Sequence, residues 1–187
     1  MSDAIILRQA VTADGPALRK LHAETWVETY PGLLPTRYLL RLTEERSRVD
    51  SPRANRHPAS TLLVADDPRS GLIGYAEFGP QRVPSLPYSG EVYTLYVLQS
   101  YQRRGIGTAL LGLSARKLRA GGITSLLIWV LGANAAARAF YWRLGGKIVA
   151  ERPMTFAGAP LVETAYGWTD VAGLAPRPRV AAANLES

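Results

Sequence analysis

Between Glu91 and Gly122 the chain passes from residues that favour a strand, through a glycine turn, into residues that favour a helix, and no other stretch narrows the choice of fold as far. Glu91 to Leu98 is rich in β-branched and aromatic side chains, whereas Gly107 to Ala120 has the aliphatic and alanine content of a helix, closed by Gly121 and Gly122. At the junction lies Gln102-Arg103-Arg104-Gly105-Ile106-Gly107. Glycines there let the backbone approach a ligand, and the first turn of the helix leaves unpaired N–H groups at the positive end of its dipole. A phosphate or pyrophosphate suits such a place, and two adjacent arginines add attraction. The same residues also suit a bare strand-to-helix connection whose arginines face solvent.

Two nucleotide-binding patterns fail on this stretch. Counting from Gly105, the third glycine of a GxGxxG fingerprint is replaced by Leu110, and no GxxxxGK[ST] occurs anywhere.

The remaining elements read outward from this unit. Ile5 to Arg8 reads as a first strand, and Thr12 and Asp14 offer capping oxygens to a helix that begins near Pro16 and carries Leu18, Leu21, His22 and Thr25. Pro35 opens a second helix with Tyr38, Leu39 and Leu42 on one face, and Arg48 to Ser60 reads as a polar loop. Thr61 to Ala65 and Leu72 to Phe78 form a hairpin, followed by a proline-rich loop from Gly79 to Pro87. The continuous apolar run Leu126 to Leu131 reads as a strand buried on both faces. Asn134 can cap a helix containing Ala137, Phe140, Tyr141 and Leu144, with strands following near Lys147 to Glu151 and Leu161 to Trp168. Beyond Asp170 the composition turns to Ala, Pro and Arg, so we expect one domain over residues 1–170 and a loosely held tail over 171–187.

Composition bounds the function. At 187 residues, with 47% hydrophobic and 20% charged, the chain suits one well-filled core. It has no cysteine, which removes thiol nucleophiles, and its two histidines, His22 and His57, fall in no metal-ligand spacing, so no metal is expected. The stretch MSDAIILRQA is no basic leader and no run suits a membrane span, which leads us to expect a cytoplasmic protein. A net charge of +7 points to anionic partners without choosing among them. Nucleic acid ranks last, because no RNP, KH, zinc-finger or helix-turn-helix pattern accompanies the charge.

The order of elements and the segment Gln102 to Gly107 resemble the GNAT N-acetyltransferase superfamily, whose acetyl-coenzyme A signature is [RQ]xxGx[GA] after the fourth strand. Thr94-Leu95-Tyr96-Val97 before it and Thr108-Ala109-Leu110-Leu111 after it are similar too. The resemblance implies an α/β (α+β) fold, with a mixed, mostly antiparallel, twisted sheet of about seven strands and about four helices. It implies acetyl-CoA as cosubstrate, with the backbone of Leu95, Tyr96 and Val97 along the pantetheine arm. Amides from Arg103, Arg104, Gly105, Ile106, Gly107 and Thr108 would hold the pyrophosphate, with Gln102 opening the signature and Asn134 touching the arm. Tyr141 inherits the role of proton donor to the departing thiolate. Asn134 reads equally as a cap, and Tyr141 also as a core ring.

The implied reaction is direct attack by a primary amine of a small molecule or peptide on the thioester. At pH 7 an amine of pKa near 10.4 is neutral in only about one molecule in two thousand, so a carboxylate is expected to favour the free base. Glu91, at the start of the strand leading to the thioester, is the first candidate; a solvent-facing strand residue is the other reading. Trp26, Glu28 and Tyr30 form a candidate acceptor pocket, and Trp129 stands where some relatives place a glutamate base. A homodimer is expected by the same resemblance. A catalytically silent acyl-CoA sensor on this fold is the alternative.

Overall fold

The computed structural model describes residues 4–44, 57–82, 86–174 and 181–182. The expected loop from Arg48 to Ser60 therefore lies largely outside the described residues, as do positions 83–85 of the proline-rich loop and most of the expected tail.

The chain enters through β1 (Ile6–Gln9), α1 (Gly15–Thr29) and α2 (Thr36–Glu44), then crosses β2 (Thr61–Asp67), β3 (Gly71–Pro80) and β4 (Gly90–Val97). After β4 come α3 (Ile106–Ala120), β5 (Leu126–Leu131), α4 (Ala135–Arg143), β6 (Lys147–Phe156), β7 (Ala159–Trp168) and the two-residue β8 (Ala181–Ala182). Among the described residues one sheet results, in the order β6-β7-β5-β4-β3-β2-β1-β8, with parallel pairs only at β4/β5 and β1/β8. The expected mixed, mostly antiparallel sheet flanked by four helices is what forms.

Two clusters fill its faces. On one side α3 packs Ile106, Leu110, Leu111 and Leu113 with Ala76, Phe78, Val92, Ile128, Tyr141 and Trp168. On the other, Leu18 and Leu21 of α1 meet Leu62, Val64 and Tyr75. β5 is covered on both faces, as its unbroken apolar run requires, with Leu126, Leu127 and Ile128 at most 2% exposed.

Three local readings are corrected. Asp14 does not cap α1: its carboxylate accepts from the Val11 amide at 2.7 Å and from Arg8 at 2.7 and 2.8 Å, so it ties the helix entrance back to β1. The last hairpin is longer than its apolar content suggests, because β6 and β7 stay paired out to Phe156↔Ala159 around a turn at Ala157 and Gly158. Pro153 is tolerated within β6 because that strand is the sheet edge. Finally, residues 171–174 are not a loose tail: Val171 and Leu174 are buried in the α3 cluster. Among the described residues no helix is long and apolar enough to cross a membrane.

Candidate active site

The strand at the centre of the sheet is irregular where chemistry would need it. Glu77 pairs with Thr94 but Phe78 pairs with Val92, so Tyr93 is an extra residue that bulges β4. The ladder between β4 and β5 ends at Val92↔Ile128, and beyond it the two strands lack each other as partners. The Leu98 amide donates to the Ile73 carbonyl at 3.0 Å, which fixes the alternation along β4. Tyr96 and Thr94 therefore spend their backbone groups on β3, while Leu95 and Val97 turn theirs toward β5 and the opening. The expected backbone contact to an extended arm narrows to Leu95 and Val97; Tyr96 contributes its side chain instead. The Val97 carbonyl accepts from Gln102 Nε2 at 3.0 Å, which anchors the glycine turn to the end of the strand.

That turn is built to present amides. Arg103 (φ 62°) and Gly105 (φ 85°) are both left-handed, and Gly105 caps α3 without any side-chain oxygen. The first bond of the helix runs from the Ala109 amide to the Gly105 carbonyl at 2.9 Å, so the amides of Ile106, Gly107 and Thr108 precede it. Those of Arg103, Arg104 and Gly105 find no backbone acceptor among the described residues either. Arg104 is engaged locally, donating to the Ser100 carbonyl at 2.9 Å with its guanidinium over the Tyr101 ring. On the far side of the opening, Asn134 caps α4, accepting from the Ala137 amide at 3.1 Å, and Phe140 closes against Gly107.

Tyr141 extends from α4 into the core, its ring against Phe140, Tyr166 and Trp168. Its hydroxyl makes no hydrogen bond to the described residues, and burial raises its pKa, the phenol of Tyr30 adding to the push. Tyr30 belongs to an aromatic group on the α1 side. Its hydroxyl meets that of Tyr96 at 2.6 Å, and Trp26 lies among His22, Tyr30, Tyr38, Tyr96 and Phe156 at centroid distances from 5.0 to 6.4 Å. His22 Nδ1 and the Tyr75 hydroxyl are 2.6 Å apart, and burial lowers the imidazole pKa to about 4. Trp26 and Tyr30 are thus brought together with Tyr96 near Tyr141.

The carboxylates sort differently from expectation. Glu91 is only 3% exposed, but its Oε2 accepts from the Arg82 amide at 3.0 Å and its Oε1 from Arg82 Nε at 3.1 Å and from Nη2. An oxygen pair so occupied balances a buried charge, which argues against Glu91 as the base. Glu28 points elsewhere too, accepting from the Gln99 amide at 2.8 Å, so it ties the end of α1 to the turn after β4. Trp129 is covered by the guanidinium of Arg152 at 4.0 Å, and Arg152 pairs with Glu163 at 2.8 Å. Glu163, whose charge contributes to raising Tyr30, is the carboxylate that sequence reasoning missed. It follows Leu161 and Val162 on β7, where exposure alternates but polarity does not, so no sequence signal distinguishes it from any other strand residue.

Open backbone groups on a parting strand, beside an uncapped helix start, suit an extended arm that ends in a pyrophosphate. That is the donor half of an acyl-CoA transferase. Residues 16–145 match the family model described as Acetyltransferase (GNAT) family. The chain is 32% identical over 170 residues to the uncharacterized N-acetyltransferase YuaI of Bacillus subtilis strain 168, covering 91% of this chain and 96% of that one. It also superposes on the PaiA N-acetyltransferase of Thermoplasma acidophilum in complex with coenzyme A (TM-score 0.61, 22% identity, 88% of this chain and 98% of that chain). A similar match is yncA of Salmonella typhimurium with its cofactor acetyl-CoA (TM-score 0.61, 23% identity, 94% and 99%). The chain belongs to the GNAT acetyltransferase family, and acetyl-CoA is its cosubstrate.

Proposed function

We propose that the acceptor is a primary amine that reaches the opening between β4 and β5 from the α1 side, past Trp26, Tyr30 and Tyr96, and attacks the thioester directly. Leu95 and Val97 hold the arm through their backbone, and amides from Arg103 to Thr108 hold the pyrophosphate. The thioester supplies the acetyl group and a thiolate that must be protonated as it leaves. Tyr141 is the acid: the residue is buried but its hydroxyl makes no hydrogen bond to the described residues, so none of them competes for its proton, and that single observation carries the assignment. A phenol with a raised pKa stays protonated at neutral pH, ready to donate once positioned.

Deprotonation of the ammonium falls to solvent reached beside Glu163, whose pairing with Arg152 leaves it partly exposed on the acceptor side. His22 is neutral at working pH and, with a pKa near 4, too weak a base to substitute. A cytoplasmic location and a homodimer belong to the same reading; light scattering on the purified chain reports the second. Exposed Trp142, Ile148 and Val162, on α4 and the last hairpin, are consistent with a subunit contact.

Tyr141→Phe separates donor binding from chemistry. Thiol release should fall by about 10- to 1000-fold while calorimetry with acetyl-CoA changes little, because only the proton is removed. Unchanged turnover, with chemistry shown to limit the rate, would take Tyr141 out of the mechanism.

A further inference from the structure

From Tyr101 to Ala150 the chain has eight Lys and Arg and not one Asp or Glu. That stretch comprises the donor turn, α3, β5 and α4. Arg103 and Arg104 lie in the turn, Arg116, Lys117 and Arg119 toward the end of α3, and three more on α4 or just beyond it. A share of the 15 acids in proportion to length would put about four of them here. Of the chain's 22 Lys and Arg, the 14 outside the stretch nearly balance those 15 acids, so the net charge of +7 arises in the donor half alone.

The fold leaves this charge uncompensated. Among the described residues none of the eight cations has a carboxylate within salt-bridge distance. The carboxylates at its borders are held elsewhere: Glu28 by the Gln99 amide, Asp67 by the amides of Arg69 and Ser70, Glu151 by the Thr164 hydroxyl, and Asp170 by the Ala172 amide. Arg116 and Arg119 are exposed. At a rise of about 1.5 Å per residue they stand about 15 and 20 Å along α3 from the donor turn, too far to touch a pyrophosphate bound there. Cations in a last helical turn also suit the negative end of the helix dipole, but that effect is local and does not reach the first turn. A surface shaped by solubility alone would intersperse the two signs.

Acetyl-CoA has about four negative charges, up to two of them on its phosphate monoester. A field of one sign around a site raises the association rate of an opposite charge by roughly 10- to 1000-fold without contact. We propose that Arg116 and Arg119 are steering residues, which draw acetyl-CoA to the donor turn from the far end of α3 without touching the bound pyrophosphate. The inference rests on acetyl-CoA as cosubstrate and is independent of the acceptor and of Tyr141.

The test is stopped-flow binding of CoA, and of CoA lacking the 3′-phosphate, each with a fluorophore on sulfur. At an ionic strength of about 10 mM, where charges are felt over about 30 Å, Arg116→Glu/Arg119→Glu should slow association of the CoA probe by about tenfold or more. Arg116→Gln/Arg119→Gln, the milder change for the helix, should slow it by about threefold, and both dissociation rates should stay within about twofold of wild type. At about 500 mM the association rates of all three proteins should converge to within about twofold. The probe without the 3′-phosphate should show a smaller difference between wild type and variants, because it has less charge to steer. Equal association rates at low salt overturn the proposal. So does a loss that salt does not shrink, a loss of equal size for the two probes, or one that appears in dissociation, since each marks a contact or a distorted turn in place of a field.

Discussion

Glu91 shows how one contact can reverse the meaning of a residue. A glutamate at the mouth of the central strand invites a reading as general base, yet Arg82 occupies both of its oxygens, and the Arg82 guanidinium also lies over the Tyr93 ring at 4.6 Å. Burial is the main cause raising the Tyr93 phenol to about 12, and its hydroxyl donates to the Pro80 carbonyl, so loop, bulge and ion pair are locked together. Glu91 is buried but the Arg82 side chain is 46% exposed, so removing Arg82 strands a carboxylate that water can partly reach, at a cost of about 1–3 kcal/mol, less than for a fully buried pair. Arg82→Leu should therefore lower the unfolding midpoint markedly. Glu91→Gln should be less damaging and, in the folded fraction, leave the pH profile of kcat/KM in place; loss of its ascending limb would restore Glu91 as the base.

At the level of elements, the turn into α3 asks different things of its two glycines. A Cβ on Gly105 would touch nothing within 4 Å, but its φ of 85° is a conformation that side chains resist. Gly107 has no such angle, and a Cβ there would reach Phe140 at 3.4 Å, an ordinary contact. Gly105→Ala should cost about 1–2 kcal/mol of backbone strain, appearing in acetyl-CoA affinity as the amides swing out of line, whereas Gly107→Ala should be nearly neutral. Calorimetric titration of both variants with CoA checks the contrast, and equal losses would contradict it. The signature residues and the helix they open were legible in sequence because the chemistry is local: a conformation that needs glycine, and amides that precede the first helical bond. The opening that receives the arm was not legible, since it depends on where two strands stop pairing.

For the molecule as a whole, His22 links stability to pH. Tyr75 from β3, Tyr96 from β4 and Trp26 from its own helix surround it, and burial lowers its pKa from 6.5 to about 4. Between those values the unfolded chain binds more protons than the folded one. The contribution is therefore fully present above about pH 6.5 and is lost as pH falls toward 4, up to about 3 kcal/mol. His22→Asn cannot titrate there and gives up the Tyr75 contact. It should be clearly less stable than the wild-type chain at pH 7, with the gap closing by pH 4 in urea melts; a gap that stays constant across that window would exclude the linkage.

Sequence by itself determined the pieces whose causes lie within a few residues: the strand-turn-helix unit, the capping Asn134, the doubly covered β5, and the glycines closing α3 and α4. It also determined the donor, because the cradle for a pyrophosphate is made of backbone whose shape Gly105 dictates. Tertiary structure alone decided the acceptor half. Arg82 against Glu91, Glu163 near Tyr30, and Tyr38 and Phe156 around Trp26 are meetings between distant segments, and a side chain's chemistry follows from which neighbour occupies its lone pairs or withholds its water.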